Sequence, residues 1–451
     1  MRKNSFAIQG GSFGDEGKGK VVDELCSRLV EKHKKILVYR WNGGANAGHT
    51  VVLNGKKTVL HHIPSGALIK GAMCILGKGM VLHPGDLIKE IIEIKKTRKS
   101  KVPAKLVIDE MSVLTLDTHR AFEAVLKDWA EGGSGSTGRG IAPAYSDVIL
   151  RHPVRMRDLV GKTWKKKLSK HYDLYRALVE GLGEKISAKQ VPNLKNQFSK
   201  VGSKNAFLQK LENQRKLLKK YVVDANMLVR AFWNSKVPFV FEGAQGVGLD
   251  PRWGVYPDVT SSDPTFSGIA HSTEGVVHPD EIEVKASVFK ATYMSSVGKR
   301  KLPTKMNTKL ANKIRKDANE YGATTGRPRD IYYVDLPALK FFSKVTKPTH
   351  LVLTHLDISY EDYPVKVCTN YIDLKGKKVF YRPDQEFLNK TKPKYKEFKP
   401  WDGKLIRGVN NTSGLPKQVK TYVDLLAKTL ELKPWKLTTG PERNAVVTLN
   451  F

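Results

Sequence analysis

The sequence predicts an α/β protein with a large, mostly parallel central sheet and helices on both faces. A short apolar segment, SFAIQG at 5–10, runs into a glycine-rich turn, and apolar residues at helical spacing follow that turn. Three further apolar runs, at 36–42, 237–246 and 349–357, each end in polar residues. Buried parallel strands present functional groups at their carboxyl ends in this way.

The first strand, turn and helix are the clearest elements. After the glycine turn, one helical face carries Val21, Val22, Leu25 and Leu29. ILVYRWN at 36–42 predicts a second strand that leads into another glycine turn. A strand, a glycine turn and a helix in this order are typical of the opening of a nucleotide-binding α/β fold.

Two later segments depart from the strand pattern. Residues 155–232 show long, lysine-rich helical periodicity, which predicts a helical subdomain on the sheet. Residues 360–402 are rich in tyrosine, proline and lysine with short β-like runs, which predicts an excursion or a small antiparallel layer. The sequence contains no internal repeat and no flexible linker, so we expect residues 1–451 to form a single catalytic unit.

The chain is strongly basic, with 78 Lys and Arg against 44 Asp and Glu and a net charge of +34. One interpretation is nucleic-acid binding through phosphate neutralisation. The other is a lysine-rich surface around a site for anionic metabolites, which such a surface attracts. We favour metabolites over nucleic acid, because the sequence contains neither an aromatic-glycine RNA signature nor zinc-finger spacing.

The sequence contains no run of about 20 apolar residues that would span a bilayer, and no apolar stretch follows the first charges as in a signal peptide. The three cysteines, Cys26, Cys74 and Cys368, are far apart and have no metal-ligand spacing. They are typical of reduced thiols in a cytoplasmic enzyme. We therefore expect a soluble, cytoplasmic protein without a membrane partner.

A phosphate-binding loop is predicted at 14–20, where GDEGKGK fits the pattern GxxxxGK. Glycines let the backbone turn its N–H groups toward phosphate, and the following helix adds its positive end. Val21 stands where a P-loop carries the hydroxyl that holds Mg²⁺, and the carboxylate of Asp15 is a hard oxygen ligand that can replace it. The alternative is an ordinary tight turn before a helix.

Eight blocks along the chain resemble the adenylosuccinate synthetase family, in the family's own order. They are GSFGDEGKGKVVDEL, WNGGANAGHTVV, HHIPSGAL, GSTGRGIAPAYSD, FEGAQGVGLDPRWGVYPDVTSS, GATTGRPRD, LTHLD and TTGPER. The resemblance covers the chain from end to end. It implies a GTP-dependent ligase that joins IMP to L-aspartate through a 6-phosphoryl-IMP intermediate, with Mg²⁺ as cofactor. It also implies a homodimer and a nucleotide site related to that of P-loop GTP-binding proteins.

The resemblance further implies roles for single residues. Asp15 would take the N1 proton of IMP and, with the carbonyl of Gly48, ligate Mg²⁺. His49 would act as general acid toward the transferred phosphoryl group, and Gln245 would bind near the purine O6. The arginine at 151 would reach the IMP site of the neighbouring subunit. The catalytic residues are therefore expected to be Asp15, Lys18, His49 and Gln245.

The expected binding residues fall into three overlapping sets. IMP would contact Asp15, Glu16, Gly17, Lys18, Asn46, Ala47, Gly48, His49, Thr137, Arg151, Gln245, Thr260 and Arg327. GTP would contact Gly14, Asp15, Glu16, Gly17, Lys18, Gly19, Lys20, Gly48, His49, Thr50, Arg329, His355, Leu356, Asp357, Thr438, Thr439 and Gly440. Aspartate would contact Ala323, Thr324, Thr325, Gly326, Arg327 and Arg329.

The residue types fit this chemistry independently of the resemblance. Replacing a purine carbonyl oxygen by an amine requires a carboxylate base, a Mg²⁺-held triphosphate and a donor at the moving phosphoryl group. Two guanidinium groups on the Thr/Gly loop, Arg327 and Arg329, suit a dicarboxylate and phosphate clamp. The plainer readings are a turn histidine at 49, an exposed basic turn at 327–329 and a backbone-bonded turn glutamine at 245.

Some positions depart from the family pattern. LTHLD carries His355 where the family usually has lysine, which weakens the exclusion of ATP, and Ser12 and Phe13 replace a glutamine and a tryptophan. The nearest rival function is a related ligase that uses ATP or a 2-amino purine monophosphate such as dGMP. The retained Asp15 argues against dGMP, because those relatives tend to lose this carboxylate. A GTP-binding switch or nucleic-acid-binding protein is the rival of another class.

Overall fold

The computed structural model describes residues 1–97, 103–127, 129, 136–194, 196–296, 298, 300–306, 309–322 and 326–449. The strands in these residues are β1 Arg2–Gly10, β2 Ile36–Arg40, β3 His49–Leu53, β4 Lys56–Leu60, β5 Ala72–Leu76, β6 Val81–Leu82, β7 Lys105–Asp109, β8 Val113–Leu114, β9 Gln190–Pro192, β10 Phe198–Lys200, β11 Val222–Val223, β12 Phe239–Glu242, β13 Ile282–Lys290, β14 Met294–Ser296, β15 Asp330–Tyr332, β16 Val334–Asp335, β17 His350–Thr354, β18 Val365–Ile372, β19 Lys378–Val379, β20 Lys392–Phe398, β21 Lys433–Thr438 and β22 Val446–Thr448.

The helices follow the same numbering in chain order. They are α1 Lys18–His33, α2 Pro84–Thr97, α3 Asp117–Leu126, α4 Ile141–Ile149, α5 Met156–Val160, α6 Trp164–Gly181, α7 Lys204–Leu218, α8 Ala225–Trp233, α9 Ser267–Ser272, α10 Lys309–Asp317, α11 Leu336–Thr346, α12 Gln385–Asn389, α13 Gly403–Ile406 and α14 Lys417–Leu430. Short 3₁₀ turns occupy Ser65–Leu68, Ile186–Ala188, Lys219–Tyr221, Val247–Leu249 and Pro279–Glu281.

Ten strands form the central sheet in the order β11-β7-β5-β2-β12-β1-β13-β17-β21-β22. Neighbouring strands are parallel throughout, except that β22 runs antiparallel to β21. The first strand lies near the middle, where Ala7 pairs with Phe241 of β12. Parallel strands bring their carboxyl ends to one edge of the sheet, and this edge is where a ligand binds in such folds.

Hydrophobic residues cover both faces of this sheet. Along β1, Ile8 packs in a cluster with Val21 and Leu25 of α1, whereas its neighbour Ala7 packs with Val229 of α8. Alternating residues of a strand point to opposite faces, so helices on both faces bury the C-terminal half of β1, from Ala7 to Gly10. The predicted α/β class, with a mostly parallel sheet and helices on both faces, is confirmed.

The two segments that depart from the strand pattern lie mostly outside the central sheet. Between 155 and 232 lie α5 to α8, a short β9–β10 hairpin and β11, which is an edge strand of the central sheet. Between 360 and 402, β18 pairs antiparallel with β19 and β20, and β16 joins this small sheet through β18. No helix of the described residues is long and apolar enough to cross a membrane.

Candidate active site

Residues that follow β1, β2, β12 and β17 meet at one cavity of about 1060 Å³. This cavity brings together most of the residues predicted for binding and catalysis from separate parts of the chain. The predicted residues that line it are Gly14, Asp15, Gly17, Lys18, Gly19, Lys20, Asn46, Ala47, Gly48, His49, Thr50, Thr137, Gln245, Thr260, Arg329, His355, Asp357, Thr438 and Gly440.

The remaining predicted residues lie elsewhere. Leu356 and Thr439 are fully buried behind the cavity wall. Arg151 is exposed at the end of α4, and Gly326 and Arg327 are exposed beside the cavity residue Arg329. The predicted aspartate contacts Ala323, Thr324 and Thr325 lie outside the described residues.

The phosphate loop is shaped by a carboxylate inside it. Glu16 is fully buried and accepts hydrogen bonds from the backbone N–H groups of Ser12 at 3.1 Å and Gly14 at 2.8 Å. It also accepts one from the ammonium of Lys18 at 2.7 Å. Gly14 has a φ of 87°, which a glycine adopts without steric cost. The loop therefore turns Glu16 inward, while the next carboxylate, Asp15, lines the cavity.

Helix α1 starts directly after the loop, so its positive end points toward the predicted phosphate site. Gly19 in its first turn allows close contact with the histidine after β2, because a Cβ at Gly19 would lie 2.8 Å from the Cβ of His49. Lys20 donates to the carbonyl of Gly440, which ties α1 to the C-terminal segment. Burial lowers the pKa of Lys20 to about 8.

Asp15 is paired with an arginine that a buried network holds in place. Arg329 Nη2 lies 2.7 Å from Asp15 Oδ2, and Arg329 Nη1 donates to Glu320 at 2.6 Å. The ammonium of Lys290 and the hydroxyl of Tyr293 both donate to the other oxygen of Glu320 at 2.5 Å. Burial alone would raise the pKa of the Glu320 carboxyl, but Lys290 and Arg329 hold it well below its usual range.

The same network reaches the site that is predicted to bind the guanine base. The hydroxyl of Tyr293 donates its one hydrogen to Glu320 and lies 3.0 Å from Nδ1 of His355. His355 therefore carries a proton on Nδ1 and donates it to that hydroxyl. Burial, reinforced by the nearby ammonium of Lys290, lowers the pKa of His355 from 6.5 to about 4. His355 is consequently neutral at pH 7.

His49 is fixed by a buried carboxylate. Its Nδ1 bonds to Glu242, which also accepts from the backbone N–H and the hydroxyl of Ser65, both at 2.7 Å. His49 lines the cavity, and Nε2 is the ring nitrogen left for a ligand. Burial lowers the pKa of His49, although Glu242 acts in the opposite direction.

The polar atoms of the cavity wall that have no hydrogen-bond partner within the described residues include Nε2 of Gln245 and Oγ1 of Thr260. The other end of the Gln245 amide is held, because its oxygen accepts from Ser262 at 3.0 Å and from Asn42 at 3.4 Å. An unpaired buried donor is costly. These two side chains are therefore ready to bind a ligand that enters the cavity.

The predicted guanine-reading carboxylate also has an arginine partner. Asp357 Oδ2 accepts from Nη2 of Arg407 at 3.0 Å and from its Nε at 3.2 Å. The hydroxyl of Thr438 accepts from the backbone N–H of His355 at 3.2 Å, which joins the two segments predicted to bind guanine. Both Asp357 and Arg407 line the cavity.

The donor set fits a magnesium ion at the loop. Mg²⁺ prefers one or two carboxylates together with phosphate oxygens and water. Asp15 offers a partly exposed carboxylate beside the loop, and Gly48 lines the same cavity. The one cluster of three metal-ligating side chains found in the described residues, His119, Asp147 and His171, does not line this cavity.

Several residues of the site were not predicted from the sequence. Glu242 and Ser65 lie within the blocks FEGAQG and HHIPSGAL, so the resemblance could have indicated them. Glu320 and Lys290 form a buried ion pair between distant segments, and Arg407 lies outside all eight blocks. The sequence context of Glu320, Lys290 and Arg407 carries no signal that places them near the cavity.

Comparisons with known proteins agree with this picture. The family model described as adenylosuccinate synthetase matches residues 7–447. The adenylosuccinate synthetase of Myxococcus xanthus is 34% identical over 453 residues, which cover 99% of this chain and 98% of that protein. That of Thermodesulfovibrio yellowstonii is 35% identical over 445 residues, with 98% of each chain covered.

Two solved structures resemble the chain to different degrees. The fully ligated adenylosuccinate synthetase of Plasmodium falciparum superposes with a TM-score of 0.87 at 28% identity, over 99% of this chain and 100% of that one. The succinoaminodeoxyadenylate synthetase of cyanophage S-2L, bound to dGMP and dATP, gives a TM-score of 0.59 at 16% identity, over 100% and 97%. The second likeness is one of fold alone.

Proposed function

Because the chain belongs to the adenylosuccinate synthetase family, we propose that it catalyses the GTP-dependent ligation of IMP and L-aspartate to adenylosuccinate, in AMP biosynthesis. The observation that carries the proposal is the single cavity, which collects the phosphate loop, NAGHT, Gln245 and both predicted guanine segments. This reaction requires a base, a triphosphate site and a donor at the transferred phosphoryl group, and residues of all three kinds line that cavity.

In the first step, Asp15 accepts the N1 proton of IMP, and the resulting negative charge on O6 attacks the γ-phosphorus of GTP. The bond to the β-γ bridging oxygen breaks, and GDP leaves. Arg329, at 2.7 Å from Asp15, orients the carboxylate. Gln245 donates its unpaired Nε2 hydrogens near the purine O6.

His49 assists the transfer of the γ-phosphoryl group. Because Nδ1 faces Glu242, the neutral ring would accept at Nε2, and only the protonated ring donates there. The negative charge of the phosphates favours the protonated ring. His49 then donates to the moving phosphoryl group, while the N–H groups of the loop and Lys18 neutralise the nucleotide.

In the second step, the amine of L-aspartate attacks C6 of 6-phosphoryl-IMP. The C6–O bond breaks, and inorganic phosphate leaves. The amine loses a proton as the new C–N bond forms. Arg327 and Arg329 are the cations for the two carboxylates of aspartate. The segment 323–329 is proposed to bind this substrate.

Mg²⁺ fits this site through Asp15 and the carbonyl of Gly48, and when bound it neutralises the triphosphate charge. A carboxylate that binds metal also has to release Arg329. The ion pair of Asp15 is one third exposed on the aspartate side, so the carboxylate is accessible to a cation from the cavity.

The IMP phosphate is proposed to bind Thr137 and the unpaired hydroxyl of Thr260, together with the partner subunit's Arg151. In this chain Arg151 is exposed, and the preceding Ile149 and Leu150 are 81% and 65% exposed. An exposed apolar pair next to an exposed arginine suits a homodimer contact. We place the enzyme in the cytoplasm, where free cysteines, like the three buried ones of this chain, stay reduced and where nucleotide substrates occur.

The direct test is a turnover assay with purified protein, IMP, GTP, Mg²⁺ and L-aspartate. We expect adenylosuccinate to form, and we expect neither ATP in place of GTP nor dGMP in place of IMP to match that rate. Rapid turnover of dGMP would favour the rival ligase. Absence of adenylosuccinate from a protein that binds all three substrates would contradict the proposal.

The dimer is tested by mixing two inactive variants, Arg151→Ala and Asp15→Asn. If the partner subunit's Arg151 completes each site, half of the mixed dimers are hybrids and one of their two sites carries both native residues. Mixing should then restore roughly a quarter of the native activity. A mixture that stays inactive, although the subunits exchange, would place Arg151 in its own subunit's site, and an Arg151→Ala variant with native activity would place it outside any site.

A further inference from the structure

The segment 401–409 lies between the two chain segments that the proposed function assigns to the guanine base. On one side, the indole N–H of Trp401 donates to the carbonyl of Leu356 at 2.9 Å, and the backbone N–H of Gly403 donates to Ser359 at 3.1 Å. A Cβ at Gly403 would lie 2.1 Å from the carbonyl oxygen of Asp357, so only glycine allows this approach.

The other side of the segment is bonded to the C-terminal strand. The backbone N–H of Gly408 donates to the carbonyl of Thr439 at 3.1 Å, and the hydroxyl of Thr439 donates to the carbonyl of Val409 at 2.6 Å. Arg407 is therefore carried by a backbone that is fixed on both sides. Its Cγ lies 3.5 Å from the position that a Cβ on Gly440 would occupy.

From this position Arg407 reaches the carboxylate expected to read guanine. Its Nη2 and Nε both donate to the same oxygen, Oδ2 of Asp357. The carboxylate is 6% exposed, whereas the Arg407 side chain is 56% exposed. The pair is therefore a surface cation on a buried anion. Such pairs with one exposed partner hold weakly, so a competing donor can replace the arginine.

We infer that Arg407 determines nucleobase selectivity by competing with the purine base for Asp357; this inference rests on the proposed function, which places the base there. Guanine offers two N–H donors, at N1 and the 2-amino group, which replace the guanidinium on the carboxylate. Adenine offers an acceptor at N1, which the carboxylate repels and a guanidinium can satisfy. Arg407 therefore weakens guanine binding and makes adenine more acceptable.

This role is consistent with the departure from the family pattern at the guanine site. Where the family usually has lysine, this chain has His355, whose Nδ1 is bonded to Tyr293 and whose ring is neutral. Arg407 supplies the cation at the base site from another segment. A specificity built on a carboxylate alone would reject adenine more strongly, because repulsion at a buried polar group is the main source of discrimination.

The test compares Arg407→Met with the native enzyme, since methionine keeps an unbranched stem and removes the charge. We expect the KM for GTP to fall about two- to fivefold, the modest change that loss of an exposed ion pair allows. We expect kcat/KM for ATP to fall, so that the GTP-to-ATP ratio rises about tenfold. In an Asp357→Asn background the substitution should lose its effect on GTP.

The matched control is Arg176→Met, which removes an exposed arginine that faces Asp173 on α6, outside the cavity. It should leave the KM for GTP and the kcat/KM for ATP unchanged. A higher KM for GTP in Arg407→Met, or an equal change for GTP and ATP, would overturn the inference, as would no change at all. These results would mean that Arg407 only supports Asp357 or plays no part.

Equilibrium dialysis with GTP and ATP alone separates this inference from the proposed function. Binding of each nucleotide to native protein and to Arg407→Met is measured without IMP or aspartate. If the native protein makes no adenylosuccinate but the GTP-to-ATP affinity ratio rises in the variant, the proposed function fails and the base-site inference stands. An unchanged affinity ratio overturns the inference whatever the turnover assay shows.

Discussion

Two aspartates in one cavity each pair with an arginine, but the two pairs differ in how the arginine is held. Asp15 follows β1, Asp357 follows β17, and β13 separates these strands. Arg329 beside Asp15 is 8% exposed and bonded from behind to Glu320. Arg407 beside Asp357 is 56% exposed and reaches in from the surface.

The difference separates an arginine that buried contacts hold in place from an arginine that can turn away when a ligand takes its carboxylate. Around Glu320, the buried cations Lys290 and Arg329 share one buried carboxylate, and removing that carboxylate leaves buried charge uncompensated. The exposed cation on Asp357 can turn to water at little cost. The phosphate side of the cavity is therefore preformed, while the base side adapts to its ligand.

Asp15→Asn should have the largest effect on activity. The amide keeps the size of the side chain but can neither accept the N1 proton nor offer a charged oxygen to Mg²⁺. Loss of a general base alone costs between a hundredfold and ten thousandfold, so we expect a fall in kcat of about a thousandfold or more. Adenylosuccinate formation under saturating substrates measures it.

The control for this variant is a measurement that its fold is intact. Circular dichroism and thermal unfolding should remain close to native, because Asp15 is one third exposed and lies on a surface loop of the cavity. Native turnover by Asp15→Asn would remove the carboxylate from the mechanism. The corresponding Asp357→Asn variant should act mainly on the KM for GTP, which is the contrast expected from the two sides of the cavity.

Glu320→Gln tests whether the phosphate side is preformed by buried charge. The substitution leaves Lys290 and Arg329 buried without their shared carboxylate, so we expect the free energy of unfolding to fall by about 3 kcal/mol. Urea unfolding measures this change. The double variant Lys290→Met with Glu320→Gln removes one cation as well, and it should recover part of the loss.

The outcome would bear directly on the comparison of the two pairs. If Glu320→Gln is as stable as the native protein, the network around Arg329 is no more rigid than the pair at Asp357. If both the single and the double variant lose the same stability, shape rather than charge explains the loss. Either result would make the contrast between the two sides wrong.

Glu242→Gln should reduce the rate by about a hundredfold, the loss that follows removal of one donor at a transferred group. The carboxylate favours the protonated ring of His49, so its loss lowers the pKa of that ring further. The protonated form then disappears at lower pH, and the fall of kcat with rising pH should shift to lower pH. A pH profile of kcat under saturating substrates measures this shift.

Ser65→Ala is the matched control for Glu242→Gln. It removes one hydrogen bond to Glu242 but keeps the charge, so it should slow the reaction less and leave the pH at which kcat falls near its native position. If both variants shift the profile equally, the position of Glu242 matters rather than its charge.

The sequence predicted the parts of this site that local pattern determines. A strand, a glycine turn and a helix define the loop, and positive φ angles at Gly14 and Gly17 are what such glycines provide. The apolar face of α1 and the polar ends of β12 and β17 were also visible. The roles of these residues in binding and catalysis stay predictions.

The rest depends on side-chain pairings, most of them between distant segments, which periodicity does not encode. Glu16 belongs to the loop motif, but a hydrogen bond from Gly14 directs its side chain inward. Lys290 and Glu320 are charged residues in a core, where local pattern predicts apolar ones. Arg407 meets Asp357 only because the segment around Gly403 packs against it.

The smallest expected effect concerns His355, which links the two sides through Tyr293. Its pKa in the folded protein is about 4, against 6.5 as the ordinary value, so between these values the unfolded chain binds the extra proton. Stability from this residue is therefore present above pH 6.5 and lost as the pH falls toward 4. At pH 5 the loss should be at most about 2 kcal/mol.

Urea unfolding at pH 7 and pH 5, for the native protein and for His355→Asn, isolates the contribution of His355 to this loss of stability. The native protein should lose more stability than the variant over this interval. An equal loss would mean that His355 takes up its proton in the folded protein, and that the base side is wetter than the network with Glu320 implies.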